Sequence, residues 1–208
     1  MKNSHKLTNY IGRTILMTIN VLVLIPMVCH AQWYQGPSGG RGGEAFDSWT
    51  ASNQNTEIAG IGLLEDNAAF DFDPKDRLDN VILCISIRYK NGHSYKYGGH
   101  CDEKEPRWGT FGWEFRGEWN GFQLQPGEHL IGVAGRFGDS IDSLRFYTTK
   151  LSYSFGDNGG TTDFGYSAPT GQRIVGLFGR TGTRIDAIGV LFAPIPIIKA
   201  PAMRRSNN

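Results

Sequence analysis

Proline is scarce in this chain, with Pro 9 in 208 residues, and no Gly-every-third-place period accompanies it, so the sequence is not collagen-like. Low-complexity disorder is excluded by the 39% of hydrophobic residues, enough to bury a core. Charge of one sign is also missing: Lys+Arg 21 against Asp+Glu 20 gives a formal net charge of +1, without the basic excess that a nucleic-acid partner usually demands. No Asn-X-Ser/Thr acceptor occurs, so N-glycosylation is not expected. A His-Glu-X-X-His helix is also absent. What the chain has in quantity is glycine, Gly 28, or about one residue in seven. Each Gly inside a helix costs roughly 1 kcal/mol relative to Ala, so this composition suits turns and short strands.

The one long apolar run lies at the start. Lys2, Lys6 and Arg13 precede Ile15 to Val28, and Cys29-His30-Ala31 follows, so residues 1–31 read as a secretory signal peptide cleaved after Ala31. Asn20 and Pro26 interrupt the run, which falls short of the ~20 clean apolar residues of a membrane span, so no span is expected. Removing the segment takes three basic and no acidic residues, leaving 18 basic against 20 acidic in a secreted, extracellular chain. Of the three cysteines, Cys84 and Cys101 remain, and an even pair in an oxidising compartment most simply forms one disulfide. Asn91-Gly92 reads as a two-residue hairpin turn that brings the two near each other. The rival is a metal site of Cys84, His100, Cys101 and Asp102, which exported thiols would pre-empt by pairing; neither metal nor cofactor is expected.

Beyond residue 31 many short β-type runs are punctuated by Gly, for example Ile85 to Tyr89, His129 to Val133, Leu144 to Tyr147 and Ile188 to Phe192. These predict an all-β domain. A motif also recurs. Gly135-Arg136-Phe137-Gly138-Asp139-Ser140-Ile141-Asp142-Ser143-Leu144 aligns with Gly179-Arg180-Thr181-Gly182-Thr183-Arg184-Ile185-Asp186-Ala187-Ile188, and Lys75-Asp76-Arg77-Leu78-Asp79-Asn80-Val81 is a weaker third copy. Glycine clusters at 39–43, 98–99 and 156–160 come in threes as well. Three copies of strand, tight loop with Asp and strand imply a barrel-like body with approximate threefold symmetry.

Gly39-Gly40-Arg41-Gly42-Gly43-Glu44-Ala45-Phe46-Asp47, Pro126-Gly127-Glu128, Ile141 to Phe146, Ile174 to Arg180 and Ile185 to Val190 stand in an order that resembles the jacalin-related lectins, over roughly residues 36–193. The resemblance implies a β-prism of three four-stranded antiparallel sheets with pseudo-threefold symmetry, over residues 32–193. It also implies lectin activity without a metal, and a primary sugar site of Gly43, Thr183, Arg184 and Asp186.

These residue types suit a sugar. Its hydroxyls both donate and accept, so a shallow site needs bare backbone N–H groups beside an ionised carboxylate. In the turn opened by Gly182, the Thr183 and Arg184 amides can donate, while Asp186 accepts hydroxyl protons in charge-assisted bonds. Gly43, lacking Cβ, allows close approach. Taken alone, the turn reads equally as a hairpin whose Asp bonds its own backbone. Gly138, Asp139, Ser140 and Asp142, with Gly159 and Gly160 as partner loop, form a possible second sugar site or a purely structural loop. The third copy has Lys75 where the turn Gly should be, and its Gly98-Gly99 loop leads into a Trp-rich insertion at 100–121.

In this family, galactose binding goes with cleavage that frees an amino terminus at the position of Gly43. The uninterrupted Gly39 to Gly42 resembles the mannose/glucose-binding branch, and Arg184 offers selection of acidic or sulfated glycans instead. Trp108, Trp113 and Trp119, with Phe111, Phe115 and Phe122, read either as an aromatic platform for sugar faces or as a segment packed on the prism. Residues 194–208 read as a flexible tail. Two rival functions stand beside a glycan-binding lectin. One is a packaging or structural protein of secretory granules or matrix; the other is a glycoside hydrolase, for which Asp71, Asp73, Asp76 and Asp79 form no marked catalytic pair. Weak monosaccharide sites gain avidity by linkage, so a homo-oligomer is expected.

Overall fold

The glycine-punctuated runs form strands in a computed structural model that describes residues 33–54, 56–66, 81–99, 101–102 and 117–196. The export segment 1–31, the motif copy at 75–80, Asp71, Asp73, His100, Trp108, Phe111, Trp113, Phe115 and residues 197–208 lie outside the described residues. In chain order the elements are β1 (Trp33–Gly39), β2 (Glu44–Asp47), α1 (Ser48–Ala51), β3 (Ile58–Asp66), β4 (Ile82–Tyr89), β5 (Ser94–Gly98), β6 (Gly117–Gln123), β7 (Leu130–Phe137), β8 (Ile141–Thr148), β9 (Ser152–Gly156), β10 (Thr162–Ser167), β11 (Gln172–Thr181) and β12 (Ile185–Pro194). The single helical turn α1 exists because the Asp47 carboxylate accepts from the Trp49 and Thr50 amides at 2.9 and 3.1 Å.

The strands make three four-stranded antiparallel sheets, ordered β1-β12-β11-β2, β10-β7-β8-β9 and β5-β4-β3-β6. Each is a central antiparallel pair with one strand added on either side, the all-β prism that the family resemblance implies. One face of each sheet turns inward to a shared core. Leu63, Ile85 and Ile87 come from one sheet, Val133, Leu144 and Phe146 from the second, and Ile185, Ile188 and Val190 from the third. Phe122 of β6 stacks on Tyr153 of β9, with centroids 4.1 Å apart and planes 3° from parallel, so aromatic packing ties two sheets together. Buried Ser48 bridges the other sheets, accepting from the Tyr89 hydroxyl at 2.8 Å and from the Leu177 amide at 2.9 Å.

Cys84 and Cys101 are joined by a disulfide, with Cα atoms 5.4 Å apart. The thiols of the rival metal site are therefore spent on each other, and Asp102 lies 3.7 Å from Lys96. Among the described residues no group of three or more His, Cys, Asp or Glu is arranged to hold a metal.

Three local expectations change. The β4–β5 connection is a three-residue loop, Lys90-Asn91-Gly92, closed by Tyr89 N–H donating to His93 O at 2.9 Å, with Gly92 alone taking a positive φ of 88°. A left-handed third loop residue is the alternative solution for a tight hairpin. Residues 117–121 belong to a strand rather than an insertion: β6 supplies the fourth strand of its sheet, pairing Leu64 with Trp119 and Ile61 with Phe122. Pro194 ends β12, and the next residue is still tied down, since Ile195 N–H donates to Gly171 O at 2.9 Å; neither belongs to a free tail.

Candidate functional site

Tight β-hairpin ends bring two of the repeated Asp residues, Asp142 and Asp186, to one end of the prism. At the β11–β12 connection, Gly182 N–H donates to Arg184 O at 3.0 Å and Thr181 Oγ1 donates to the same carbonyl at 3.0 Å. The turn is thereby closed from within. The Thr183 and Arg184 amides have no acceptor among the described residues, and Thr183 is exposed. Asp186, the second residue of β12, lies beneath the glycine loop 39–43. A Cβ added to Gly43 would fall 2.4 Å from Asp186 Oδ2 and 2.3 Å from the Thr181 carbonyl, and Gly43 itself sits at φ 61°. Only glycine fits there. Gly40 N–H donates to Asp186 O at 2.7 Å, holding the two loops together.

Oδ2 of Asp186 is shut off from solvent and has no hydrogen-bond partner among the described residues, although the residue as a whole is partly exposed. Burial pushes its carboxyl above the usual aspartate range, against the pull of the Gly182 amide and the Arg180 and Arg184 guanidiniums. The structure thus gathers Gly43, Thr183, Arg184 and Asp186 into one cluster: a carboxylate short of donors, beside amides short of acceptors. Such a set matches a ligand with vicinal hydroxyls.

The β7–β8 connection repeats the construction. Gly138 N–H donates to Ser140 O at 3.0 Å, and a Cβ on Gly160, at φ 71°, would fall 2.6 Å from Asp142 Oδ2. Gly138, Asp139, Ser140, Asp142, Gly159 and Gly160 are therefore also gathered, but with one difference. Asp142 Oδ2 accepts from Gly138 N–H at 2.9 Å, and the residue is only 8% exposed. The two sites adjoin, since a Cβ on Gly40 would meet the Asp139 carbonyl. On the other side of the first site, Gly99 packs on the backbone of Thr183, placing the disulfide-anchored β5 loop as a further wall.

Two residues that the motif reading passed over hold these loops. Arg180 Nε donates to Gly42 O at 2.7 Å and its Nη2 to Gly43 O at 2.5 Å, while the equivalent Arg136 donates from Nη1 to Asn158 O at 2.8 Å. Their signal was present in the repeat, as the Gly-Arg pair that opens both copies.

Three sheets around one core, with a glycine loop over a carboxylate at one end, define a β-prism of the carbohydrate-binding kind. The Jacalin-like lectin domain family model matches residues 35–191, and the chain belongs to that family. Its members are lectins, which bind carbohydrate without turning it over. Jacalin-related lectin 5 of Arabidopsis thaliana is 32% identical over 123 residues; the match takes in 57% of this chain and 15% of that protein, so the chain spans a small part of its relative's length. The agglutinin of Calystegia sepium shares the fold with a TM-score of 0.59 and 19% identity, over 79% of this chain and 97% of that one. A mannose-binding jacalin-related lectin from Ananas comosus superposes with a TM-score of 0.53 and 22% identity, over 79% of this chain and 99% of that one. Among the described residues no helix is long and apolar enough to cross a membrane.

Proposed function

We propose that this protein is a secreted lectin that recognises mannose/glucose-type glycans through Gly43, Thr183, Arg184 and Asp186. The observation that carries the reading is Asp186, partly exposed as a residue, whose Oδ2 has no hydrogen-bond partner among the described residues and lies under Gly43 beside open amides. A pyranose with two adjacent hydroxyls donates to Asp186 and accepts from the Thr183 and Arg184 amides. The mannose-binding relative from Ananas comosus supports the sugar class, as does the uninterrupted Gly39 to Gly42 that leads into Gly43. The loop of Gly138, Asp139, Ser140, Asp142, Gly159 and Gly160 is a second, weaker site, because its carboxylate is already engaged. Export is supported by the Cys84–Cys101 disulfide, a bond of oxidising compartments, and by the apolar start of the chain. Weak single sites favour a homo-oligomer that gains avidity.

A glycan array on the purified protein, competed with methyl α-mannoside, tests this. High-mannose glycans should bind, free mannoside should displace them, and Asp186→Asn should abolish the signal. Binding that survives Asp186→Asn would overturn the site assignment, and an array answering only to galactosides would overturn the sugar class.

A further inference from the structure

The outward faces of the three sheets are unequal. On the β1-β12-β11-β2 sheet the face is filled: Trp49 packs on Gly176, Phe178 lies on Gly189, and Tyr34 meets Phe178 edge-on with centroids 5.1 Å apart. On the β10-β7-β8-β9 sheet an open groove of about 470 Å³ remains, but its cations are occupied, Arg136 by Asp163 at 3.2 Å and Arg145 by Ser154 Oγ at 2.8 Å.

The β5-β4-β3-β6 sheet carries a third arrangement, an open groove of about 520 Å³. Strand register explains its shape. Lys96, Ser86, Gly62 and Gly121 form one outward row across the four strands, and Ser94, Arg88, Gly60 and Gln123 form the next. Three glycines leave the floor bare. Arg88 and Lys96 rise on one side, diagonal neighbours on adjacent strands and so on the order of 7–8 Å apart along the sheet. Trp119 closes one end, its ring passing over Gly62 and its centroid 5.4 Å from Lys96 Nζ. Arg88 is exposed and makes no hydrogen bond or ion pair among the described residues. Lys96 donates to Cys101 O at 2.8 Å and has the fully exposed Asp102 at 3.7 Å, a loose pair that solvent screens. Among the described residues no carboxylate lines the groove.

We infer that this groove is a second, independent carbohydrate site, for an acidic oligosaccharide carrying sulfate or uronate groups. The chemistry follows from what faces the ligand. A floor opened by three glycines accepts a sugar ring lying on the sheet beside Trp119, whose indole meets its C–H face, and two cations with spare donors meet its anionic substituents. The groove shares no lining residue with the Asp186 loop.

Calorimetric titration with a heparin-derived hexasaccharide and with an oligogalacturonate, each in saturating methyl α-mannoside, tests the inference and separates sulfate from carboxylate as the anion. At least one should bind, with affinity falling as salt rises. Arg88→Gln with Lys96→Gln should weaken that binding tenfold or more and flatten its salt dependence. Gly62→Gln should weaken it severalfold while keeping both cations, because the new side chain occupies the floor; its Cβ meets Trp119 Cε3 at an ordinary 3.5 Å, so the fold tolerates it. Asp186→Asn should change nothing here. Binding of neither ligand, survival within twofold in the double variant, an unchanged affinity in Gly62→Gln, or displacement by mannoside would each overturn the site.

Discussion

The β11–β12 and β7–β8 hairpin ends share one scaffold and differ in how their carboxylates are employed. In both, a glycine at positive φ covers an Asp, an Arg pins the covering loop by its carbonyls, and the turn glycine bonds a carbonyl two residues on. Asp142 Oδ2 accepts the Gly138 amide and is buried, whereas the Gly182 amide acts on the Asp186 carboxyl without a hydrogen bond to Oδ2, and the residue keeps part of its surface. A carboxylate satisfied by its own turn stabilises the fold; one left short of donors holds its capacity for a ligand. Asp186→Ala and Asp142→Ala should break the pair apart. The first should cut monosaccharide affinity by tenfold or more, the equivalent of losing charge-assisted bonds of about 1.5–3 kcal/mol, with little change in melting temperature. The second should leave the strong site intact, remove the weak one, and destabilise the protein by about 1.5–3 kcal/mol through loss of the charge-assisted bond from the Gly138 amide. Titration calorimetry paired with thermal melts reads both; equal loss of affinity in the two variants would erase the distinction.

Gly43→Ala and Gly160→Ala sharpen it. Each added methyl strikes the carboxylate below, at 2.4 and 2.6 Å, and each glycine holds a positive φ. Both variants should lose stability, by roughly 1 kcal/mol or more for the strained backbone alone. Only Gly43→Ala should also lose most mannoside affinity, by about tenfold, because it displaces the carboxylate proposed to hold the sugar. If the Gly160 variant suffers as much in binding, the second loop is the stronger site.

Much of this was legible in the chain. The repeated Gly-x-x-x-Asp marked both carboxylates, and the alternation in runs such as Ile85 to Tyr89 marked the strands. Three features were not legible, each because its partner is distant in sequence. Arg180 acts on carbonyls 137 and 138 residues away, so the motif shows a cation without its target. Trp119 and Phe122 reveal opposite roles only once β6 pairs with β3, sending Phe122 to the core and Trp119 outward. Nor can any local signal tell an engaged Asp142 from an unengaged Asp186, since that depends on turn geometry within an ångström.

Arg180→Lys tests the pin. A lysine keeps the charge near Asp186 but cannot span both the Gly42 and Gly43 carbonyls. Mannoside affinity should fall severalfold, less than for Gly43→Ala, because the loop loosens while its glycine and carboxylate remain. Arg136→Lys should leave the strong site unaffected, and calorimetry on the two variants compares them directly.

The smallest effect is the pH response, and its sign distinguishes Asp186 from the acidic groups that merely hold the fold. Desolvation holds the Asp186 carboxyl above its ordinary value of 3.8 in the free protein. The folded state therefore binds this proton more tightly than the unfolded chain. Its contribution to stability is fully present below the unfolded value and is lost as pH rises through the folded one. Glu128 runs the other way: the Thr148 hydroxyl and the Gln125 amide lower its pKa, so its contribution is present above the unfolded value and lost as pH falls through the folded one. A melting curve of the native protein alone mixes the two, but the difference between native and Asp186→Asn isolates the first. That difference should favour the Asn variant at neutral pH and shrink on acidification. Sugar hydroxyls need the ionised form, so mannoside affinity should be full at neutral pH and decline on acidification at a pH above that of an ordinary aspartate, with proton release on binding in that range. Calorimetry in two buffers of different ionisation enthalpy detects the released proton; binding independent of pH down to the ordinary aspartate range would show that the sugar does not rest on Asp186.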